Sequence, residues 1–192
     1  MAKAVGKDSH RGGYDGFVEL SLHIMRGRSA AEQQALVAVV LQSLVPNQVL
    51  WLIRHLFSPT QLVCELNAWF ATVLFEWLVG PCHVTEVEVP NQDSEIKRQR
   101  SGVHIEKCRY LEHSRCVGLC VNLCKVPTQQ FFTEKFGIPL TMTPNFEDFS
   151  CEMVFGHMPP PLETEAASQQ ACLANQCEMA QPTEQICPKL QP

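Results

Sequence analysis

The stretch QLVCELNAWFATVLFEWLVGPCHVTEVEV, residues 61–89, contains the change from helix to strand that decides the fold class. A capping box in SPTQ, residues 58–61, marks the start of one long apolar helix. Gly80-Pro81 ends that helix after Val79. Residues 83–89 then alternate Thr and Val with Glu, which is the pattern of a half-buried strand. The stretch therefore predicts helices before residue 80 and strands after it.

Three shorter helices are predicted upstream of the long one. Residues 15–26 end at Gly27, and a capping box of Ser29 and Glu32 opens a second helix that closes before Pro46. The apolar residues 47–57 form the third. Together these helices predict a helical bundle in the N-terminal half of the chain.

Downstream of residue 83 the sequence predicts a β-hairpin and then a long loop. The polar residues 90–102 read as a turn or mobile loop, and residues 103–108 alternate again, so an antiparallel partner strand is expected. Residues 137–161 are rich in Pro and Gly and predict ordered loop rather than regular structure.

Composition excludes several classes of function. The chain has 192 residues, of which 45% are hydrophobic, and a net charge of −5 with no basic block, so no nucleic-acid partner is expected. No transmembrane segment is predicted, because the most apolar stretch, residues 61–80, contains Glu65 and Glu76. Hydrolase, nucleotide-phosphatase and dinucleotide motifs do not occur in the sequence.

The stretch CVGLCVNLCKVP, residues 116–127, places three cysteines four residues apart. On a helix Cys116, Cys120 and Cys124 share one face, and their Cα atoms span about 12 Å. That span is too long for one zinc ion and suits a larger inorganic core. Iron–sulfur clusters bind runs of thiolates together with a distant Cys-Pro, which Cys187 provides here. The spacing favours a cluster bound by these four cysteines.

The other cysteines leave alternatives open. Eight of the ten cysteines lie between residues 108 and 187. One alternative is a second ligand set, completed by Cys108, Cys151, Cys172 and Cys177. In another, Cys172 and Cys177 form a disulfide, and in a third, single cysteines serve as small core residues. Eight thiols suffice for two [4Fe-4S] clusters and four for one. A zinc- or disulfide-stabilised interaction module is a further alternative.

We therefore predict a mostly α member of the α+β class, with an N-terminal helical bundle, a β-hairpin and a C-terminal cysteine-rich, ferredoxin-like iron–sulfur region. The second half is expected to pack with the first as one unit. The predicted segments are a disordered start or remnant of a targeting segment (1–14), a helical domain for an apolar substrate (15–81), the hairpin (82–108) and the cysteine-rich metal-binding region (109–192).

The long helix offers a second candidate site. Glu65 and Glu76 lie on one side of it, about 16 Å apart, which is too far for an acid–base pair. They either form a solvated stripe or border an apolar groove that binds a long apolar ligand. The aromatic side chains that would line such a groove are Trp51, Trp69, Phe70, Phe75 and Trp77.

Several segments resemble one known family. They are GRSAAEQQ, EWLVGP, CRYLE, CVGLCVNLCKVPTQ, FGIPLTMTPNFED and CPKL, and they are distributed over nearly the whole chain. They are similar to the iron-containing β-carotene isomerase family of plastids, the Dwarf twenty-seven-like family of strigolactone biosynthesis. The chain departs from the family pattern at Arg115, where a small residue is expected.

The resemblance implies reversible isomerisation between all-trans and 9-cis β-carotene in the chloroplast, with iron carried by the cysteines named above. One-electron exchange with an iron–sulfur cluster would lower the order of the double bond that turns. The alternative mechanism is protonation of the polyene by a buried carboxyl group of raised pKa. Its candidates are Glu65, Glu76, Glu147 and Asp148.

Two points about function stay open in the sequence. A ferredoxin-like electron carrier without a substrate of its own fits the cysteine pattern, although it leaves the apolar helical half unexplained. For the isomerase, the expected partners are β-carotene, an electron-donor protein and a membrane surface contacted from outside.

Overall fold

The computed structural model describes Gly6 and residues 9–56, 58–90, 96–173 and 186–190. Four α-helices precede the first strand: α1 (Gly13–Met25), α2 (Ala30–Leu44), α3 (Asn47–Leu56) and α4 (Gln61–Val79). The predicted Ser29–Glu32 capping box is confirmed, since each residue accepts a hydrogen bond from the backbone N–H of the other. The predicted start of α4 is wrong, because its N-cap is Thr60 rather than Ser58.

Four antiparallel strands form one sheet in the order β1-β2-β4-β3. The strands are β1 (Cys82–Pro90), β2 (Ile96–Ile105), β3 (Leu140–Pro144) and β4 (Cys151–Phe155). The predicted hairpin is confirmed by the pairing of β1 with β2. Two loop predictions are wrong: β2 already begins at Ile96, and residues 137–161 contain β3 and β4. The α+β class is therefore correct, with a larger sheet than the sequence predicted.

Helix α4 packs on the sheet through a narrow stripe of small side chains. Its buried residues include Cys64, Ala68 and Ala71, which lie on one side of the helix. The facing β2 residues Val103 and Ile105 are almost fully buried. Small residues on the helix permit a close approach to the strands, so this side of α4 is used by the sheet and the opposite side remains exposed.

The segment that carries the three spaced cysteines is helical, as predicted. Helix α5 (Arg109–Ser114) precedes π1 (Leu119–Lys125), a π-helical stretch. Helix α6 (Val126–Gln130) and a second π-helical stretch, π2 (Phe131–Phe136), follow. Short 3₁₀ helices occur later, at Leu162–Thr164, Ala166–Gln169 and Pro188–Leu190. The predicted ferredoxin-like region is not seen in the described residues, where Cys116, Cys120 and Cys124 lie along a helical segment instead of on loops around a small sheet.

The chain divides into two compact units. Unit 1 comprises Met1–Val45, Tyr110–Thr128 and Pro161–Pro192, and unit 2 comprises Pro46–Arg109 and Gln129–Pro160. Helices α1 and α2 belong to unit 1, whereas α3, α4 and the sheet belong to unit 2. The predicted segments 15–81 and 109–192 are each divided between the units, because helices adjacent in sequence pack on different partners.

Candidate functional site: a thiol face in unit 1

The three spaced cysteines lie on one partly buried helical face. Cys120 is buried, Cys116 and Cys124 are half-buried, and the Cys120 N–H donates a 3.1 Å hydrogen bond to the Cys116 carbonyl. Val117, Leu119 and Val121 around them are buried, which fixes the helix in the core of unit 1. π-Helical stretches are rare and occur frequently at functional sites. We call Cys116, Cys120 and Cys124 the thiol face.

Tyr110 on α5 lies beside the thiol face. Its side chain is 3% exposed, and its hydroxyl oxygen is buried. Burial raises the pKa of Tyr110 well above its ordinary value, and nearby Cys124, Cys120 and Cys116 raise it further, against a lowering effect of Ser21. The Ser21 hydroxyl itself donates to the Phe17 carbonyl. The Ser21 oxygen is thus the nearby acceptor for the buried Tyr110 hydroxyl, which also lies close to three thiols.

Sequence reasoning missed Tyr110, because its proximity to the thiol face depends on a break in the helix. Arg115 separates α5 from the segment that begins at Cys116, and its φ of 41° lies in the left-handed region. Glycine adopts that region without strain, which accounts for the small residue that the family pattern led us to expect at this position. The Arg115 side chain is exposed, so it does not fill the core beside the thiols.

The C-terminal segment around Cys187 contacts the other side of this helix. A Cβ on Gly118 would lie 2.8 Å from the Lys189 Cβ, and Asn122 donates a 2.8 Å hydrogen bond to the Lys189 carbonyl. Positions two before and two after Cys120 lie about 160° from it around a helix. Cys187 is itself buried. The structure thus places its neighbours behind the thiol face.

Cys172 and Cys187 are close to each other in the chain's C-terminal part. Ala171 pairs with Ile186 in an isolated antiparallel bridge, and the Cys187 N–H donates a 2.9 Å hydrogen bond to the Gln170 carbonyl. This register places Cys172 and Cys187 on the same side of the bridge, as diagonal neighbours. Cys177 lies outside the described residues.

Cys108 and Cys151 lie together in unit 2. Cys151 faces Ile105 in the pairing of β2 with β4, and the Cys108 N–H donates a 2.7 Å hydrogen bond to the Phe149 carbonyl. Both thiols are buried. The second ligand set considered from the sequence is therefore divided, with Cys108 and Cys151 in unit 2 and Cys172 in unit 1.

The thiol face has the donor chemistry of an iron–sulfur site. Within the described parts of the chain, no three or more His, Cys, Asp or Glu side chains are arranged to hold a metal ion. That result agrees with the spread of about 12 Å expected along the thiol face. Thiolates are the ligands of iron–sulfur clusters, and the buried Tyr110 hydroxyl lies beside these thiols. The thiol face would therefore supply ligands to one side of such a group.

A buried ion pair follows the thiol face directly. The Lys125 side chain is 1% exposed, and its Nζ lies 2.5 Å from Oε2 of Glu165. Lys125 ends π1, and Glu165 lies between two of the short 3₁₀ helices. The pair thus ties the segment around residue 165 to the helix of the thiol face, and no local sequence pattern predicts it.

The carboxyl groups proposed as proton donors do not occupy apolar pockets. Glu65 accepts hydrogen bonds from Gln61 at 2.9 Å and from the Arg100 N–H at 3.0 Å, and these bonds lower its pKa. The hydroxyl and N–H of Ser150 lower the pKa of the exposed Asp148 in the same way. Glu76 and Glu147 are exposed. The structure therefore contradicts the expectation of a raised pKa at Glu65 and Asp148.

The aromatic residues predicted to line a substrate groove lie on an open surface of unit 2. Trp51, Trp69, Phe70 and Trp77 are exposed, and Phe75 is half-buried. A groove of about 780 Å³ beside α1 and one of about 470 Å³ beside the start of α4 contain none of these side chains. The aromatic side chains thus form an exposed surface and not a tunnel.

Comparisons with known proteins show which family the chain resembles. Residues 77–164 match the family model described as Beta-carotene isomerase D27-like, C-terminal. The chloroplastic Beta-carotene isomerase D27 of Medicago truncatula is 39% identical over 169 residues, which cover 88% of this chain and 65% of that protein. The protein of the same name from Arabidopsis thaliana is 38% identical over 171 residues, covering 89% of this chain and 63% of the relative. No solved structure matches.

The matched region contains α5, the thiol face and the whole of β2, β3 and β4, so the family similarity includes the residues of the candidate site. The chain spans a little less than two thirds of the length of the two curated relatives, and the match extends over most of the chain itself. Over most of its length the chain is therefore similar to the D27-like β-carotene isomerases.

Proposed function

We propose that the protein is an iron-dependent carotenoid isomerase of the chloroplast, which interconverts all-trans and 9-cis β-carotene. The curated relatives are named chloroplastic β-carotene isomerases, and the similarity covers 88% and 89% of this chain. The observation in the structure that carries the proposal is the thiol face, with the buried Tyr110 hydroxyl beside it.

The iron group in this proposal is an iron–sulfur cluster, with one or two [4Fe-4S] clusters per chain. Cys116, Cys120 and Cys124 would hold it from one side, whereas the segment of Cys187 contacts the opposite side of this helix. When bound, such a cluster supplies single-electron exchange with a polyene, which lowers the barrier to rotation about a double bond. Tyr110 would lie beside this group, and the buried Val117, Leu119 and Val121 would exclude water from its helix.

The aromatic surface of unit 2 would bind the polyene. Trp51, Trp69, Phe70, Phe75 and Trp77 offer flat apolar contacts of the kind that a long conjugated hydrocarbon can make. Leu66 and Val73, which lie between them on the same side of α4, are also apolar, so the surface selects chiefly by shape and apolarity.

Anaerobic purification tests the proposal. We expect coloured protein with iron and acid-labile sulfide in comparable amounts, and chromatography should show that all-trans and 9-cis β-carotene both approach the same isomer ratio. Colourless protein with stoichiometric zinc would contradict the iron assignment. Iron-loaded protein that leaves both isomers unchanged would favour an electron carrier over an isomerase.

Conversion of Glu65 and Glu76 to Gln separates the two mechanisms. Because hydrogen bonds lower the pKa of Glu65, its carboxylate is ionised at neutral pH and holds no proton to donate. The Glu65→Gln, Glu76→Gln variant should therefore isomerise β-carotene at the rate of the unmodified chain. A fall of about a hundredfold, as removal of a general acid produces, would restore the protonation mechanism.

A further inference from the structure

The side of α4 that faces away from the sheet is apolar along its whole length. At about 100° per residue, six exposed side chains fall within about 100° of the helix circumference, opposite the buried Ala68 and Ala71. From the first to the last they extend about 22 Å along the helix. We call these six residues the outer face of α4: Leu62, Leu66, Trp69, Phe70, Val73 and Trp77. A contiguous apolar surface of this kind marks a protein or membrane contact.

We propose that the outer face of α4 docks unit 2 onto a bilayer of uncharged lipid, with the helix lying in the plane of the surface. The proposal rests on the proposed function only for the reason to dock, which is that a carotenoid dissolves in lipid. Lipid binding itself does not depend on that activity. The surface then gives a polyene in the bilayer direct access to the aromatic residues of α4.

The tryptophans favour lipid over a protein partner. The chain has three tryptophans, and all of them are exposed in unit 2: Trp51 by 61%, Trp69 by 59% and Trp77 by 53%. Tryptophan is concentrated at the boundary between headgroups and acyl chains, where its ring is apolar and its N–H meets water.

The helix lies on the membrane rather than across it. Residues 61–79 are long and apolar enough to span a bilayer, with a mean hydropathy of 1.5 over the most apolar window, of which 28% is buried inside the protein. However, the side carrying Cys64, Ala68 and Ala71 packs on the sheet, so lipid can reach only the outer face. An in-plane helix of this kind inserts its apolar face to the depth of the headgroup boundary.

The charges around α4 favour uncharged lipid. The helix contains no Lys or Arg, and Glu65 and Glu76 border the outer face on one side. On the adjacent strands, Lys97, Arg98 and Arg100 are accompanied by Glu86 and Glu88, and Arg98 forms ion pairs with both of these glutamates. With no surplus of positive charge beside the helix, anionic headgroups should add nothing to binding.

Flotation of the full chain, with the metal it carries after anaerobic purification, on phosphatidylcholine vesicles tests the proposal. The unmodified protein should float, and its tryptophan emission should shift to shorter wavelength. The triple variant Leu66→Ser, Phe70→Ser, Val73→Ser keeps all three tryptophans as reporters. It should bind the vesicles about a hundredfold more weakly, because it loses apolar area on the outer face of α4. Adding phosphatidylglycerol should not strengthen binding, and salt should not weaken it.

The matched control is the triple variant Val39→Ser, Leu44→Ser, Ile96→Ser, which removes three equally exposed apolar side chains from other surfaces and should float like the unmodified protein.

Three results would overturn the proposal: unchanged emission without flotation, equal loss of vesicle binding in both triple variants, or binding that requires anionic lipid. So would a dimer that the first variant alone abolishes, since a second copy would then cover the face. Flotation by an inactive, iron-free chain would leave docking intact while the proposed function fails.

Discussion

Replacement of Cys120 by Ala is expected to reduce the iron content of the purified protein about tenfold or more, since even loss of a residue that only supports a metal ligand weakens binding by that factor. Cys120 is the central and most buried residue of the thiol face. Its removal leaves Cys116 and Cys124 two helical turns apart, without a thiolate between them. Iron and acid-labile sulfide, measured per chain after anaerobic purification, check the result.

Cys64→Ala is the matched control for this variant. Cys64 is also buried on a helix, and burial, assisted by Glu65, raises the pKa of its thiol to about 11, so it is protonated at neutral pH. A protonated thiol is not a metal ligand. Cys64→Ala should therefore retain its iron. Normal iron content in Cys120→Ala, or equal loss in both variants, would refute the assignment of the thiol face.

Local sequence signals predicted the parts of the fold that local chemistry determines. The Ser29–Glu32 capping box and the stop at Gly80 depend on residues within a few positions of each other, and both occur in the structure. Strands β3 and β4 were missed because each has only five residues and is bordered by Pro and Gly. The pairing of β4 with β2 joins residues distant in sequence, which no local pattern records.

The same distinction applies to the candidate site. The four-residue spacing of the cysteines predicted a shared helical face, because helix geometry converts spacing directly into direction. Tyr110 depends on a break at Arg115, and the environment of Glu65 depends on Arg100 in the sheet. Such contacts arise from tertiary packing. The sequence therefore predicted which residues share a face but not which groups surround them.

Replacement of Glu165 by Ala is expected to destabilise the protein by about 3 kcal/mol, because it removes the carboxylate that pairs with a buried cation. Lys125 is 1% exposed and Glu165 is 11% exposed, so water cannot take the place of the carboxylate. For a chain of this size the midpoint of thermal unfolding should fall by about 10 °C. Unfolding followed by calorimetry or circular dichroism measures the change.

Two further variants determine whether the ion pair itself causes the loss. Glu163→Ala removes an exposed carboxylate two residues away and should leave the midpoint unchanged. The double variant Lys125→Met, Glu165→Leu replaces both charged side chains by apolar ones. Because it leaves no buried charge without its partner, its loss of stability should be smaller than that of Glu165→Ala. If Glu165→Ala unfolds at the midpoint of Glu163→Ala, the pair contributes nothing to stability. If the double variant loses more than Glu165→Ala, Lys125 acts through another contact, and the segment around residue 165 is held to the helix of the thiol face by other means.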